Sequence, residues 1–129
     1  MVLDASGAVE FLLNTDSGAR LAARLMDEGE AVSVPHLIDL EIAQALRRYV
    51  ARGALSVERG SLALGHWRDF DVDRYPHEPF LARIWELRTN VSAYDAVYVA
   101  LAETLSTALV TGDRRLAGAA GIRARIELI

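Results

Sequence analysis

The chain contains no cysteine, no lysine and only three prolines, and its positive charge falls short of its negative charge. Without cysteine there are no disulfides, thiolate metal sites, iron–sulfur clusters or cysteine nucleophiles. Without lysine there is no Schiff-base chemistry, no Walker-type phosphate loop and no phosphorelay lysine. All 14 basic residues are arginines; they face 18 acidic residues, for a formal net charge of −4. That balance argues against a sequence-blind coat for nucleic acid, which needs a basic surface. It leaves room for a nuclease whose site is itself a set of carboxylates. No window approaches the roughly 18 apolar residues of a membrane-spanning helix, and Val2, Leu3 and Asp4 follow Met1 with no basic leader. A soluble, cytoplasmic protein with no membrane partner is the expectation.

The 129 residues have room for one domain, residues 1–129, able to bury roughly two-thirds of the unfolded surface. Hydrophobic residues make up 52% of the chain, enough for a core without staples. Val2-Leu3, Ala31 to Val34 and Ala108 to Val110 read as short buried strands, the second stopped by Pro35. Val72 to Tyr75 is a short extended piece ending at Pro76, and Arg125 to Leu128 make a last strand. Helical spacing predicts helices from Ser6 (as N-cap), over Ser17–Asp27, His36–Arg52, Ser56–Trp67 and Glu78–Arg88, and from Ser92 to Leu105, with Gly53 as a C-terminal cap. Strands alternating with helices imply an α/β fold: a three-layer α/β/α sandwich around a central parallel sheet.

In such sheets ligands bind at the carboxyl ends of the strands. Asp4 and Asp113 each stand where a predicted strand stops, and each alone reads as a turn or helix cap. On the helix from His36, Ile38, Ile42, Ala45 and Tyr49 form an apolar stripe, and Glu41 falls at its margin. An ordinary contact with Gln44 or Arg48 is the plain alternative for Glu41. Asp95 shares a column with Val91, Val99 and Ala102 and has no obvious charge partner; its plain alternative is a first-turn aspartate serving helix N–H groups. Gathered at one sheet edge, four carboxylates repel and call for a cation. With no lysine or cysteine and only three histidines, the expected ion is Mg²⁺, with Mn²⁺ accepted by the same oxygens. Such a site suits metal-assisted phosphodiester hydrolysis with one metal or two.

The strings Val2-Leu3-Asp4-Ala5-Ser6, Leu40 to Arg48, Ala93 to Glu103 and Leu109 to Ala117 resemble, in order and spacing, the PIN-domain ribonucleases of the VapC toxin type. The resemblance extends over essentially the whole chain. It implies that Asp4, Glu41, Asp95 and Asp113 are the catalytic, metal-binding quartet, with the hydroxyls of Ser6 and Thr111 orienting it. It further implies endonucleolytic cleavage of single-stranded or looped RNA leaving 5′-phosphate and 3′-hydroxyl ends, a homodimer, and inhibition by a cognate VapB-like antitoxin. Arg47, Arg48, Arg114 and Arg115 are candidate RNA contacts, with surface salt bridges as the alternative.

Alternative functions are a divalent-cation-dependent binding module and a catalytically inactive PIN scaffold. The first leaves Glu41 and Asp95 unexplained; the second sits badly with four retained acids. A dehalogenase-like phosphatase fails on Ser6, where an aspartate is expected, and on the missing lysine. His36 reads as a cap or surface residue, Trp67, Trp85, Tyr49 and Phe80 as core or interface aromatics, and Asp69, Asp71 and Asp73 as an exposed edge. Asp39 lies on the flank away from Glu41. Leu40, off the stripe, is a candidate dimer contact. Replacement of Asp4 or Asp95 by alanine is expected to abolish cleavage with the fold intact.

Overall fold

A computed structural model describes residues 1–129, the side chains of residues 27 and 28 excepted. The strands are β1 (Val2–Leu3), β2 (Ser33–Pro35), β3 (Asp73–Tyr75), β4 (Leu109–Thr111) and β5 (Ile126–Leu128). They form one sheet in the order β3-β2-β1-β4-β5, every pair parallel. The helices are α1 (Ala5–Leu13), α2 (Asp16–Glu28), α3 (Ile38–Ala51), α4 (Val57–Asp69), α5 (Leu81–Glu86), α6 (Ala93–Thr104) and α7 (Arg114–Ala117), with a single 3₁₀ turn at Glu78–Phe80 before α5. The α1 helix packs against α2, α3 and α4, while α6 packs against α5 and crosses β1, β2 and β4. This is the expected three-layer α/β sandwich.

The strands are two or three residues long, so burial must do what ladder length does not. Val2, Leu3, Val34, Leu109 and Val110 are fully buried, as are Ile38 and Ile42 beneath α3 and Val99 and Leu101 beneath α6. A sheet covered on both faces takes unbroken apolar runs, which is why Leu109-Val110 continues into a fully buried Thr111.

Several boundaries differ from expectation. The α1 cap is Asp4, whose carboxylate accepts the Gly7 N–H at 2.9 Å; Ser6 lies inside the first turn. Thr15 caps α2, and Ser56 and Ser92 cap α4 and α6 as their chemistry suggests. Pro35 belongs to β2, and the next N–H, that of His36, carries the ladder on to the Tyr75 carbonyl at 2.9 Å. His36 is exposed and caps nothing, because α3 begins after Leu37 without a side-chain cap. Gly53 takes φ of 70° just past α3, as a C-terminal cap requires.

The corner between α1 and α2 is built on a close approach. A Cβ at Gly18 would stand 2.0 Å from the Glu10 carbonyl oxygen. Gly18→Ala must therefore push α2 off the end of α1, at a cost of about 1–3 kcal/mol. The expected result is a lower urea midpoint at unchanged m-value. An unchanged midpoint would mean that the corner yields freely.

Candidate metal centre

The strand order reverses direction at the β1–β4 junction, and there the candidate residues collect. Register pairs Leu3 with Val110, so the residues that follow, Asp4 and Thr111, emerge side by side. The Thr111 hydroxyl donates to Asp4 Oδ2, and Ser6 Oγ donates to Asp4 Oδ1 at 2.7 Å. Ser6 Oγ also accepts the Gly112 N–H at 2.8 Å, and Thr111 Oγ1 accepts that of Asp113 at 2.9 Å. The two hydroxyls thus tie the start of α1 to the end of β4 and hold Asp4 between them, as second-sphere partners of a ligand do. Burial raises the Asp4 carboxyl above the ordinary range, opposed by bonds from Thr111, Gly7 and Ser6, and the Asp95 charge pushes it further up.

Glu41 is half-buried on α3 and takes neither of the contacts weighed for it. The Tyr98 hydroxyl donates to its Oε2, whereas Gln44 accepts from Arg47 at 3.0 Å. Desolvation raises the Glu41 carboxyl, and the charges of Asp95 and Asp4 add to that; the Tyr98 bond pulls the other way. The α3 stripe is turned from the one the spacing suggests. Ile38, Ile42 and Leu46 enter the core, while Ala45 and Tyr49 join Glu41 on the wall of an open cleft. Asp95 sits in the first turn of α6, where its N–H donates to Ser92 Oγ at 3.1 Å and its carboxylate accepts the Ser92 hydroxyl at 2.7 Å. This reciprocal cap fixes the side chain at the helix end and leaves it partly exposed.

Asp113 caps α7 and is claimed by Arg115. Its carboxylate accepts the Arg115 backbone N–H at 2.8 Å and the guanidinium at 3.2 Å, which holds it below the ordinary carboxylate range. The structure therefore places Asp4, Glu41 and Asp95 within one another's electrostatic reach, with Asp113 one strand end away and already neutralised. No arginine hydrogen-bonds to Asp4, Glu41 or Asp95 among the described residues; the Arg115 guanidinium reaches Asp95 only through its charge. Nor do any three His, Asp or Glu side chains stand close enough to hold an ion by themselves among the described residues. Mg²⁺ asks for less: one or two carboxylates, with waters filling the other positions. An all-oxygen donor set with excess negative charge fits that ion.

Tyr98 is the functional candidate the sequence reading missed. It is 2% exposed, and burial together with the Glu41 charge raises its own ionisation well above the normal range. At three residues beyond Asp95 it shares that residue's helix face, the one spacing signal that pointed to it. Tyr98→Phe is expected to fold, to cost about 1 kcal/mol for one lost hydrogen bond, and to raise the Glu41 carboxyl further. Carbon-13 NMR titration of Glu41 reads this directly, and a downward or absent shift would refute the role of the bond.

The other residues take plainer positions. Asp39 is held by Trp67 Nε1–H at 2.7 Å and by Arg74, away from the centre. Asp73 lies on the sheet's edge strand. Trp67 is core, but Trp85 and Leu40 are exposed. Arg48 lines the cleft, Arg47 bonds Gln44, Arg115 bonds Asp113, and Arg114 is exposed.

Residues 1–122 match the PIN domain family model. The chain is similar to Ribonuclease VapC9 of Mycobacterium tuberculosis, 50% identical over 116 residues that take in 90% of this chain and 87% of that one. It is also similar to Ribonuclease VapC12 of the same species, 42% identical over 129 residues, covering 100% and 98% of the two chains. In fold it matches the crystal structure of VapBC2 from Rickettsia felis bound to a promoter DNA fragment, with a TM-score of 0.72, 13% identity, and 99% and 97% of the chains covered.

Proposed function

The chain belongs to the PIN-domain family as a VapC-type ribonuclease toxin, and we propose that it hydrolyses phosphodiester bonds within single-stranded or looped RNA with Mg²⁺ as cofactor. The observation that carries the chemical reading is the trio Asp4, Glu41 and Asp95, buried or half-buried at the β1–β4 junction with no protein cation bonded to it. Asp4 and Asp95 would hold the metal, with Glu41 and Asp113 completing the ring of acids around substrate and solvent. When bound, Mg²⁺ supplies charge neutralisation at the scissile phosphate and makes a water a stronger acid.

The chain's own residues do the rest. Ser6 and Thr111 keep both Asp4 oxygens in fixed directions, which lowers the reorganisation needed when charge develops. Tyr98 occupies Glu41 Oε2 and leaves Oε1 without a protein hydrogen bond among the described residues. A carboxylate whose pKa is raised is a stronger base than an ordinary one, so Glu41 Oε1 is suited to take the proton of the attacking water. In-line attack of the water oxygen on phosphorus breaks the P–O3′ bond, and the departing 3′-oxygen takes a proton from solvent, leaving a 5′-phosphate and a 3′-hydroxyl.

The partner that fits a toxin of this kind is a VapB-like antitoxin; the related Rickettsia felis structure contains a VapBC pair. A homodimer is proposed with it, Leu40 being a candidate contact at 72% exposure. Among the described residues no helix is long and apolar enough to cross a membrane. Action on cytoplasmic RNA is the corresponding proposal.

The test is end-mapped cleavage of total cellular RNA by the purified protein in Mg²⁺, Mn²⁺ and EDTA. Discrete cuts with 5′-phosphate ends, present with metal and absent with EDTA, are expected. Folded protein that leaves RNA intact in both metals would move the reading to a binding module or an inactive scaffold.

A further inference from the structure

Most arginines of this chain are already engaged. Arg24, Arg68, Arg74, Arg83, Arg115, Arg123 and Arg125 are ion-paired, and Arg20, Arg47 and Arg88 donate side-chain hydrogen bonds. Arg48 and Arg52, at the carboxyl end of α3, make neither an ion pair nor a side-chain hydrogen bond among the described residues. Both line one cleft of about 810 Å³. That cleft begins at Ala5 and Ser6, beside the acidic centre, includes Glu41, and follows the α3 face through Ala45 and Tyr49 to Arg52. Tyr94, the residue before Asp95, lies on its wall as well.

The wall combines two kinds of surface. Tyr94 is 63% exposed and Tyr49 37%, while Leu37, Ala45 and Val9 keep the lining largely apolar. The acids in the wall do not neutralise the arginines: Glu10 takes the Thr15 hydroxyl and Glu41 that of Tyr98. Free guanidinium groups bind phosphate oxygens as planar forks, and exposed tyrosine rings stack on unpaired bases. From Glu41 to Arg52 the helix rises about 16 Å, long enough for several stacked nucleotides at about 3.4 Å each.

We propose that this cleft is the subsite for the RNA nucleotides flanking the scissile bond, with Arg48 and Arg52 binding backbone phosphates and Tyr49 and Tyr94 stacking bases. The proposal rests on the endoribonuclease reading and deepens it. It also separates the arginine candidates: Arg48 belongs to the substrate track, together with Arg52, which sequence spacing did not single out. With a net charge of −4 and an acidic trio that repels phosphate, local positive charge beside the site favours approach of an RNA chain.

The test is binding of a fluorescein-labelled single-stranded RNA to the full chain in EDTA, followed across a salt series, together with steady-state cleavage in Mg²⁺. For Arg48→Ala/Arg52→Ala, affinity at low salt should fall about tenfold or more, and the slope of log K against log salt should shrink by about 1.4, or 0.7 per lost phosphate contact. Tyr49→Leu and Tyr94→Leu should each weaken binding about fivefold or more with the salt slope kept. In cleavage these losses should appear in KM rather than kcat. Arg59→Ala, outside the cleft on α4, should match the parent chain in both readouts. Variants that bind and cleave as the parent does would overturn the subsite while leaving the nuclease reading standing. Unchanged RNA binding with lost capture of the antitoxin would assign the cleft to a protein and overturn it equally. A parent chain that neither binds nor cleaves RNA removes the premise itself.

Discussion

Asp4→Asn should yield a folded protein that cleaves RNA at least about a hundredfold more slowly, a larger loss than the ten- to hundredfold typical of groups that only support a metal ligand. Asparagine keeps the architecture because its Oδ1 still accepts from Gly7 N–H and Ser6 Oγ, now at 2.9 and 2.7 Å. On the other side an NH₂ replaces Oδ2, so the Thr111 hydroxyl must turn from donor to acceptor. It has the lone pairs to do so while still accepting from Asp113, and its hydrogen can turn to Ser6 Oγ, 3.4 Å away. Alanine is a poorer probe than the sequence suggests. It strips the α1 cap, worth about 1–2 kcal/mol, and removes the Asp4 hydrogen bond of the buried Thr111 hydroxyl at about 1 kcal/mol more. Asp4→Ala thus loses fold support along with charge. Cleavage rate and thermal midpoint measured on both variants separate the two effects; an Asn variant cutting at the parent rate would remove Asp4 from the chemistry.

Mn²⁺ or Mg²⁺ should raise the thermal midpoint by about 10 °C at a hundredfold excess over its dissociation constant. That figure follows from about 2.7 kcal/mol of linkage at roughly 4 °C per kcal/mol for a domain of this size. The effect should be larger at neutral than at acid pH. Asp4 and Glu41 are raised in the folded state, so their ionised forms destabilise the metal-free fold, fully so above the folded pKa. As pH falls from neutrality toward about 4, the ordinary carboxylate value, that burden is relieved and the metal-free protein gains stability. Asp113 and Glu103 are lowered by Arg115 and Arg83, and their contribution is lost only as pH falls further, through those depressed values. Metal-free stability should therefore peak on the acid side of neutrality, and added metal should matter least there. Thermal scans with metal and with EDTA across this range check both points; superimposed curves would argue that no ion binds.

The fold was legible because its elements announce themselves locally. Val2-Leu3 and Leu109-Val110 are apolar pairs running into polar residues, and Ser56, Ser92 and Gly53 have cap chemistry that the structure uses. The Asp4 region was harder, since Asp4 and Ser6 are both good caps; the Gly7 N–H bond to Asp4 makes Asp4 the cap, and Ser6 turns instead to Asp4 and Gly112. The α3 stripe misled for a related reason. Ala45 and Tyr49 are apolar yet face the cleft, so periodicity alone could not tell which apolar face was core. On α6 every residue from Ala96 to Ala102 is buried, which erases the amphipathic contrast that would have set Tyr98 apart. Its link to Glu41 spans 57 positions, and no local pattern records a contact at that range.

That range has a consequence for how the protein comes into being. The floor of the acidic pocket joins residues 107 positions apart at Asp4–Thr111 and 106 apart at Ser6–Gly112. A nascent chain still lacking β4 holds Asp4 with its local partners Ser6 and Gly7 but without Thr111, and contacts so distant in sequence carry the larger loop-closure cost. Translation products that stop short of β4, and fragments cut between α1 and β4, therefore lack the Thr111 and Gly112 ties that fix the acidic pocket. The floor of the site is complete only once β1 and β4 have paired.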